Sequence, residues 1–367
     1  MSSIGVGMLG YAFMGKAHAH ALRTLAHMTW PPPLVPELIA VAGRDETAVA
    51  EAARRYGFER HMTDWHELVA DERIGLFDNL GPNALHAEPT IAAAQAGKHV
   101  LCEKPLGRDA AESREIFERV AATGVQHLCG FNYRFMPAIR LARELLEAEE
   151  IGEIHHVRAR YLQSWGADPD RTGVWRFDAG QAGSGALGDL GTHIIDLVRY
   201  LVGEPVAVSA LTRTFRDAPG LGEGGVDDAF AAAVELDGGA VGTLEASRFA
   251  TGRINGLQLE INGSRGAIVF DVERLNELLV AWPRFFERIL VTDPEHPFMQ
   301  HWWPPGHIVG WGDSFVHELH HLLRAIAGDG TVAPHGATFE DGWRASEVAD
   351  AIARSAATGR REAVPRG

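Results

Sequence analysis

The residues that decide the fold are Ile4-Gly5-Val6-Gly7-Met8-Leu9-Gly10-Tyr11-Ala12-Phe13-Met14-Gly15. The first six form an apolar run of strand length, and residues 16–25 continue with helical spacing of apolar side chains. Between them, small residues permit a tight turn, let the backbone approach a pyrophosphate and let helix and strand pack closely. The stretch therefore predicts a dinucleotide cradle in which the phosphates face the positive end of the helix. Its predicted cofactor contacts are Gly10, Ala12, Phe13, Met14 and Gly15.

The composition is that of a globular protein long enough for two domains. The chain has 367 residues, 46% of them hydrophobic and 23% charged, with neither a run of membrane-spanning length nor a signal-type N-terminus. A net charge of −15 argues against nucleic acid or an anionic membrane as a partner. Cys102 and Cys129 fall in apolar strand-like runs, which favours buried reduced thiols. We therefore expect a cytoplasmic protein.

Strand and helix patterns alternate through the first third of the chain. Apolar runs of strand length lie at 4–9, 38–42, 75–80, 99–102 and 125–131, and helical patterns lie at 16–25, 47–56, 87–96 and 110–122. This alternation predicts a Rossmann-type, doubly wound parallel sheet over a first α/β domain, residues 1–131. Ligands of such sheets bind beyond the carboxyl ends of the strands.

The pattern changes over the second domain, residues 132–367. Strand-like stretches at 154–163, 206–215, 229–236, 240–248, 257–262 and 267–270 are joined by glycine-containing turns, and helices are expected at 137–147, 313–327 and 339–357. Because these strands alternate less with helices, we expect an α+β domain with a large, mostly antiparallel open sheet. One face of that sheet is expected to join the subunits of a homo-oligomer, a dimer or a tetramer.

The richest group of chemically active side chains lies in a glycine-rich turn and the helix after it. A predicted helix over 189–201 places Asp189 and His193 one turn apart on a polar face beside an apolar stripe. A carboxylate near an imidazole can fix its tautomer and raise its basicity, as general-base work requires. The alternative is an ordinary capped helix whose polar face is solvated.

A lysine follows one of the predicted strands, in Cys102-Glu103-Lys104-Pro105. At the carboxyl end of a parallel strand, its ammonium group can meet a reacting hydroxyl. The alternative is a surface lysine, which the Lys-Pro pair at the end of an apolar strand disfavours.

Two histidine motifs are set aside as metal sites. His317-Glu318-Leu319-His320-His321 matches the zinc-peptidase pattern, but its helix has the apolar stripe of a core element and no clear third ligand follows. His18-Ala19-His20 lies where alternate residues of a helix point apart, and we interpret it as packing and surface. The sequence therefore predicts no metal.

Further motifs carry a family resemblance over nearly the full length of the chain. They are the cradle together with Gly81–His86, Glu103–Leu106, Gly130–Arg134 and Gly188–His193. In these motifs the chain resembles the glucose-fructose oxidoreductase and inositol dehydrogenase family, Gfo/Idh/MocA. Segments 161–165 and 175–177 and the Trp-Pro loop 301–307 look most similar to levoglucosan-dehydrogenase-like members, which oxidise a ring hydroxyl of sugars and anhydrosugars.

The resemblance implies a role for each matching residue. Lys104 contacts the nicotinamide ribose and the reacting hydroxyl, His193 takes or relays the hydroxyl proton, and Asp189 holds the sugar or the imidazole. These three are the predicted catalytic residues. Further implied cofactor contacts are Pro82, Asn83, His86 and Glu103. The implied sugar pocket comprises Asn132, Tyr133, Gln163, Trp165, Arg176, Asp189 and His193.

The choice of cofactor depends on the end of the second strand, Ala42-Gly43-Arg44-Asp45. NAD-binding members usually place an acidic residue there for the ribose diol, whereas Arg44 can receive a 2′-phosphate and Asp45 comes late for the ribose. Gly81 also stands where many members have threonine, so that hydroxyl contact is absent. The resemblance to sugar-oxidising members favours NAD, and Arg44 leaves NADP open.

The sequence thus favours an NAD(P)-dependent oxidoreductase that transfers a hydride between a ring hydroxyl of a sugar, anhydrosugar or cyclitol and nicotinamide. An NAD-dependent glycosidase that oxidises the ring transiently would use the same residues, and a dinucleotide-binding sensor without turnover is a third hypothesis. Net reduction of free cofactor separates the first two, and any turnover excludes the third.

Overall fold

The structure, a computed structural model, describes residues 1–171, 174–215 and 225–365. As far as these are described, their contacts group into two compact units. Unit 1 comprises Met1–Gly107, Ala111–Phe135 and Gly310–Trp343, and unit 2 comprises Arg108–Ala110, Met136–Val309 and Arg344–Gly367. The predicted domain boundary after residue 131 lies close to Phe135, where the chain passes from unit 1 to unit 2. The division of the chain into two domains at residue 131 stays a prediction.

The described strands, in chain order, are β1 (Ser3–Leu9), β2 (Val35–Ala42), β3 (Arg60–Met62), β4 (Leu76–Asn79), β5 (His99–Cys102), β6 (His127–Cys129), β7 (Ile154–Leu162), β8 (Pro205–Arg213), β9 (Ala229–Leu236), β10 (Val241–Ser247), β11 (Gly256–Gly263), β12 (Ala267–Asp271), β13 (Glu277–Trp282), β14 (Phe285–Leu290) and β15 (Glu362–Ala363). The described α-helices are α1 (Phe13–Met28), α2 (Glu46–Tyr56), α3 (Trp65–Ala70), α4 (Ala87–Gln95), α5 (Ala110–Ala121), α6 (Pro137–Glu147), α7 (Ala179–Ala182), α8 (Thr192–Leu201), α9 (Asp313–Ile326) and α10 (Phe339–Thr358).

Unit 1 contains a parallel sheet whose described strands follow the order β3-β2-β1-β4-β5-β6. β1 is buried from Ile4 to Leu9 and pairs in parallel with β2 on one side and β4 on the other. The strand order reverses direction at β1 and β4, and sheets of this kind bind ligands at the carboxyl ends of the strands where that happens. The predicted doubly wound Rossmann sheet is confirmed.

Unit 2 contains a larger sheet, in which the described strands follow the order β14-β13-β12-β11-β7-β10-β9-β8-β15. β7 and β10 pair in parallel, and the other described neighbours pair antiparallel. β9 alternates between buried and exposed residues, which shows that one face of the sheet is covered and the other is open. The predicted large, mostly antiparallel open sheet is confirmed.

Helix α9 belongs to unit 1 although it comes late in the chain. Its apolar stripe, which includes Phe315 and Leu319, is buried, and it packs on α1. His317 Nδ1 lies 2.9 Å from the carbonyl oxygen of Phe135, and His321 Nε2 lies 2.7 Å from that of Val332. The zinc-peptidase-like motif is therefore part of a core helix, with each of these imidazoles at a backbone carbonyl. Over the described ranges, no group of His, Cys, Asp or Glu side chains has the arrangement of a metal site.

Some elements are not predicted from the sequence. β3 and α3 have three and six residues, too short for a hydrophobic period to show. The hairpin of β13 and β14 is missed because β14 is mostly exposed and lacks apolar alternation. Helix α1 begins at Phe13, earlier than the predicted residue 16, since Phe13, Met14 and Gly15 of the cradle already form its first turn. In the described part of the chain, no helix combines the length and apolar character needed to cross a bilayer.

Candidate active site

The turn between β1 and α1 has the backbone geometry that a dinucleotide cradle requires. Gly10 has a φ of +105°, and a Cβ there would lie 2.7 Å from the carbonyl oxygen of Leu80. A Cβ at Gly15 would lie 2.6 Å from the carbonyl oxygen of Gly10. Because Cβ atoms do not approach backbone oxygens so closely, the first and third positions of the pattern admit only glycine.

The first turn of α1 can receive an anion. As far as the structure describes it, this turn has no acidic residue, and Ala12 at the N-cap supplies no side-chain hydrogen bond. Phe13 and Met14 begin the helix, and Phe13 is exposed and stacks on Trp311 with ring centroids 5.5 Å apart. Backbone N–H groups and the positive end of the helix dipole therefore face the turn without a competing carboxylate. These residues fit the diphosphate of a nicotinamide dinucleotide.

The end of β2 presents Arg44, which is exposed. The next residue, Asp45, caps α2, because its carboxylate accepts a hydrogen bond from the N–H of Ala48 at 2.9 Å. Tyr11 covers the neighbouring Gly43 so closely that a Cβ there would lie 2.1 Å from its ring. With the Asp45 carboxylate engaged in the cap, Arg44 is the candidate contact for the adenine ribose.

Two loops at the carboxyl ends of β4 and β5 are tied together by His86. Its Nδ1 lies 2.8 Å from the carbonyl oxygen of Pro105, and its Nε2 lies 3.0 Å from that of Gly81. Burial lowers the pKa of His86 more than these two carbonyls raise it, so a neutral ring donates to one of them. Asn79 Oδ1 also accepts the N–H of Gly81 at 3.1 Å. The loop held in this way carries two of the predicted cofactor contacts, Pro82 and Asn83.

A buried charge network connects α1 with the ends of β4 and β5. His18 is fully buried, with Nδ1 3.0 Å from Asp78 Oδ2 and Nε2 3.3 Å from Glu103 Oε1. Burial lowers the pKa of His18, but attraction to Asp78 and hydrogen bonds with Asp78 and Glu103 outweigh that effect and raise it to about 10. The imidazole is therefore a cation at neutral pH and donates to both carboxylates. The sequence prediction interprets His18-Ala19-His20 as packing and surface and does not find this network, whose partners lie 60 and 85 positions from His18.

Glu103 connects this network to the predicted catalytic lysine. Its other oxygen, Oε2, accepts the backbone N–H of Lys104 at 3.2 Å. Lys104 itself is half-buried and directly follows Glu103 at the carboxyl end of β5. Glu103 thus faces His18 and the backbone of Lys104, and its contact with the cofactor ribose stays a prediction.

Asn132 and Tyr133 begin a short 3₁₀ helix, Asn132–Phe135, that follows β6. Both are buried, and Asn132 Nδ2 donates to Ser314 Oγ at 2.9 Å, which joins this segment to α9. The structure places both residues at the carboxyl-end side of the unit 1 sheet, and their contact with a sugar stays a prediction.

In unit 2 the predicted helix over 189–201 divides into two parts. Leu187–Gly191 forms a π-helical turn, and α8 begins at Thr192. Gly191 packs so closely on Phe230 that a Cβ would lie 2.7 Å from the ring. Asp189 therefore lies in the π-helical turn and His193 in α8, so the predicted regular α-helix does not connect them, and their action on one ligand stays a prediction. Such interruptions occur frequently at functional sites.

The polar side of α8 is buried. His193 is 7% exposed, Asp196 1% and Tyr200 7%, and the predicted apolar stripe is buried as well. These values exclude the alternative of a solvated polar face. The ring of His193 lies beside that of Tyr161, with centroids 5.8 Å apart.

The ring neighbour of His193, Tyr161, belongs to a group of hydrogen-bonded polar side chains in unit 2. Tyr161, on β7, donates its hydroxyl to Asn255 Oδ1 at 2.7 Å, and Gln163 Nε2 donates to the same oxygen at 2.7 Å. An imidazole, a phenol and two amides can together bind the hydroxyl groups of a polyol. Tyr161 and Asn255 are missed as site residues, because Asn255 reaches Gln163 from a turn 92 residues later.

Asp189 is paired with Arg176. The Arg176 Nε lies 3.5 Å from Asp189 Oδ1, with the two side chains 36% and 18% exposed. A partly exposed pair of this length contributes little to stability and can open to receive a ligand. Trp165 is half-buried and packs against Phe177, with ring centroids 5.4 Å apart.

The predicted site residues therefore fall into two groups, one in each unit. The group in unit 1 comprises Gly10, Ala12, Phe13, Met14, Gly15, Arg44, Pro82, Asn83, His86, Glu103, Lys104, Asn132 and Tyr133. The group in unit 2 comprises Gln163, Trp165, Arg176, Asp189 and His193.

Comparison with known proteins gives matches over both units. Residues 4–131 match the profile of an oxidoreductase family with an NAD-binding Rossmann fold, and residues 139–269 match the GFO/IDH/MocA C-terminal domain. The chain is 42% identical to levoglucosan dehydrogenase of Pseudarthrobacter phenanthrenivorans over 97% of each chain. It is 28% identical to inositol 2-dehydrogenase of Rhizobium meliloti, again over 97% of each. A structure of levoglucosan dehydrogenase in complex with NADH and levoglucosan matches with a TM-score of 0.95 at 42% identity over 100% of both chains.

Proposed function

The chain belongs to the Gfo/Idh/MocA family of oxidoreductases, and on that premise we propose that it is an NAD-dependent dehydrogenase of a carbohydrate ring hydroxyl, with levoglucosan or a related anhydrosugar as substrate. One observation carries the proposal. The same chain combines the Gly10–Gly15 cradle with His193 and a polar group, Tyr161, Gln163 and Asn255, that reaches His193 through the ring of Tyr161. The similarity to levoglucosan dehydrogenase extends over both.

In this proposal Lys104, Asp189 and His193 act on one hydroxyl group. Bound nicotinamide supplies the acceptor for the hydride that leaves the carbinol carbon. His193, as a neutral imidazole, takes the hydroxyl proton, and the ammonium group of Lys104 stabilises the negative charge that develops on the oxygen. Asp189 orients the sugar, and its partly exposed pair with Arg176 opens to receive it.

NAD is the proposed cofactor. Levoglucosan dehydrogenase, which the chain resembles over its full length, has been solved in complex with NADH. The guanidinium of Arg44 can lie against an adenine ring as well as against a phosphate, so its presence is compatible with NAD.

We further propose that the protein is a cytoplasmic homo-oligomer whose subunits meet on the open face of the unit 2 sheet. Leu211 on β8 is 73% exposed, with Ala231 of β9 opposite it and Glu245 of β10 next in the same row. An open sheet face with exposed apolar and small side chains supports a subunit contact. Both cysteines are free and buried, in keeping with a reducing compartment.

A substrate screen tests the proposed function. The purified protein is given NAD or NADP with levoglucosan, monosaccharides, inositols and aryl glycosides, and the absorbance of the reduced cofactor is followed. We expect reduced cofactor to accumulate with an anhydrosugar or sugar and NAD. Release of the aglycone without accumulation of reduced cofactor would instead identify a glycosidase. If none of the compounds is turned over, the protein is not a dehydrogenase of this class.

A further inference from the structure

Arg248 is the largest fully buried side chain among the described residues, and its polar contacts go to segments that connect the strands of unit 2. Its Nη1 donates to the carbonyl oxygen of Arg176 at 3.0 Å, and its Nη2 donates to that of Asp227 at 3.1 Å. Nη2 also lies 3.2 Å from Asp228 Oδ1, and both side chains of this ion pair are almost completely buried. Burying two charges costs several kcal/mol each, and apolar side chains would fill the same space at lower cost. The pair therefore calls for a reason other than stability.

The same guanidinium fixes Trp165. Its Cζ lies 5.1 Å from the ring centroid of Trp165 and 4.9 Å from that of Phe177, so the cation lies against both aromatic faces. The backbone carbonyl of Arg248 also accepts the N–H of Gly166 at 2.9 Å. Arg248 thus contacts the indole of Trp165 and the backbone of Arg176 with its side chain, and the residue after Trp165 with its backbone.

Asp227 connects the same cluster to the segment that carries Asp189. Its carboxylate accepts the N–H groups of Gly185 at 2.7 Å and Leu187 at 2.8 Å, at the start of the π-helical turn that carries Asp189. Gly185 passes so close that a Cβ there would lie 1.7 Å from the carbonyl oxygen of Asp227. The segment that bears Asp189 is therefore attached to the same cluster as Trp165 and Arg176.

We propose that Arg248, with Asp227 and Asp228, positions the sugar-binding side chains Trp165, Arg176 and Asp189, and thereby determines the affinity and selectivity for the sugar. This inference rests on the proposed function. Arg248 is a positioning residue, because it is fully buried and acts through the residues it holds. Lysine cannot replace it, since an ammonium group has neither the planar fork that spans three acceptors nor a flat face to lie on an indole.

The variant Arg248→Lys tests the inference, with Arg274→Lys as a matched control at an exposed ion pair with Glu277. We expect the KM for the sugar to rise and kcat/KM to fall roughly 10- to 100-fold in Arg248→Lys, the scale expected when a site is displaced by about 1 Å. The relative rates with different sugars should change, whereas the Kd for NADH, measured without sugar, should not. Arg274→Lys should match the wild type in all three.

A second measurement does not depend on turnover. In protein labelled with fluorotryptophan, the Trp165 resonance is identified by its loss in Trp165→Phe, and we expect it to shift in Arg248→Lys but not in Arg274→Lys. If the wild type oxidises no sugar, the proposed function fails while this resonance still decides the positioning role. An unshifted resonance with unchanged KM and selectivity would overturn the inference. If Arg248→Lys does not fold, the double variant Arg248→Met, Asp228→Asn removes both charges and undergoes the same measurements.

Discussion

At the scale of single residues, lysine is rare in this chain and its placement is informative. Only three of the 34 basic residues are lysines, namely Lys16, Lys98 and Lys104. Lys98 is structural, because its Nζ donates to the carbonyl oxygens of Asp71 and Ile74. Lys104 instead follows a strand end, where a compact charge on a flexible stem suits a single reacting oxygen better than the planar fork of arginine.

Replacing Lys104 by alanine should slow hydride transfer by roughly two to four orders of magnitude, because a positioned charge-stabilising group is lost. Single-turnover absorbance of the reduced cofactor measures this rate with a confirmed substrate. Lys104→Arg, which keeps the charge but not its shape, should recover only part of the loss. A near-wild-type single-turnover rate in Lys104→Ala would show that the chemistry takes place elsewhere.

Arg44 permits a similar test of cofactor choice. If its guanidinium can bind a 2′-phosphate, Arg44→Ala should weaken NADP binding by about tenfold or more, while NAD binding changes little, since a charge-assisted contact is lost for one ligand only. Fluorescence titration of the reduced cofactors gives both Kd values. Arg54→Ala, at an exposed position late in α2, is the control. Equal losses for NAD and NADP would mean that Arg44 only covers the adenine.

At the scale of elements, the sequence predicts those parts of the fold whose signal is local. The buried run of β1 and the glycine pattern after it place the cradle correctly, because strand, turn and helix requirements act on adjacent residues. The π-helical turn at Leu187–Gly191 is not predicted, since it depends on close packing with Phe230 on a distant strand. The partners of His18, Tyr161 and Arg248 are missed for the same reason. Each of these contacts joins segments that are far apart in the chain, and the spacing of apolar residues in the sequence gives no signal for such contacts.

Helix α1 is attached to β4 and β5 through the charged His18, and this attachment should depend on pH. The folded pKa of about 10 exceeds the unfolded value of 6.5, so the stabilisation is complete below about pH 6.5 and is lost as the pH rises toward 10. At about 1.4 kcal/mol per pKa unit, the loss amounts to a few kcal/mol.

Urea unfolding across this pH range measures the effect. His18→Gln should lower the free energy of unfolding at neutral pH by about 3 kcal/mol, because two carboxylates lose their buried partner, and should flatten the profile. His20→Gln, exposed on the same helix, should keep the wild-type profile. A wild-type slope retained in His18→Gln would show that other groups cause the pH dependence.

At the scale of the whole molecule, the open face of the unit 2 sheet is the proposed subunit contact. Leu211→Arg should reduce the mass measured by sedimentation, because a charge would be buried at the contact, while circular dichroism of the subunit stays unchanged. Phe286→Arg, at an equally exposed apolar position on β14, is the control. If Phe286→Arg dissociates the protein and Leu211→Arg does not, the subunits meet at the opposite edge of the sheet.

Residues 310–343 complete unit 1, where α9 packs on α1 and Trp311 stacks on Phe13. After the cradle has been synthesised, the ribosome must add about three hundred further residues before α9, the helix that covers α1, emerges. During that interval the side of α1 that α9 will cover, including His18, whose ring packs against Phe315 of α9, is without its partner. The nascent chain therefore carries its dinucleotide cradle unfinished while the whole stretch between α1 and α9 is made, and a segment synthesised early is among the last to mature.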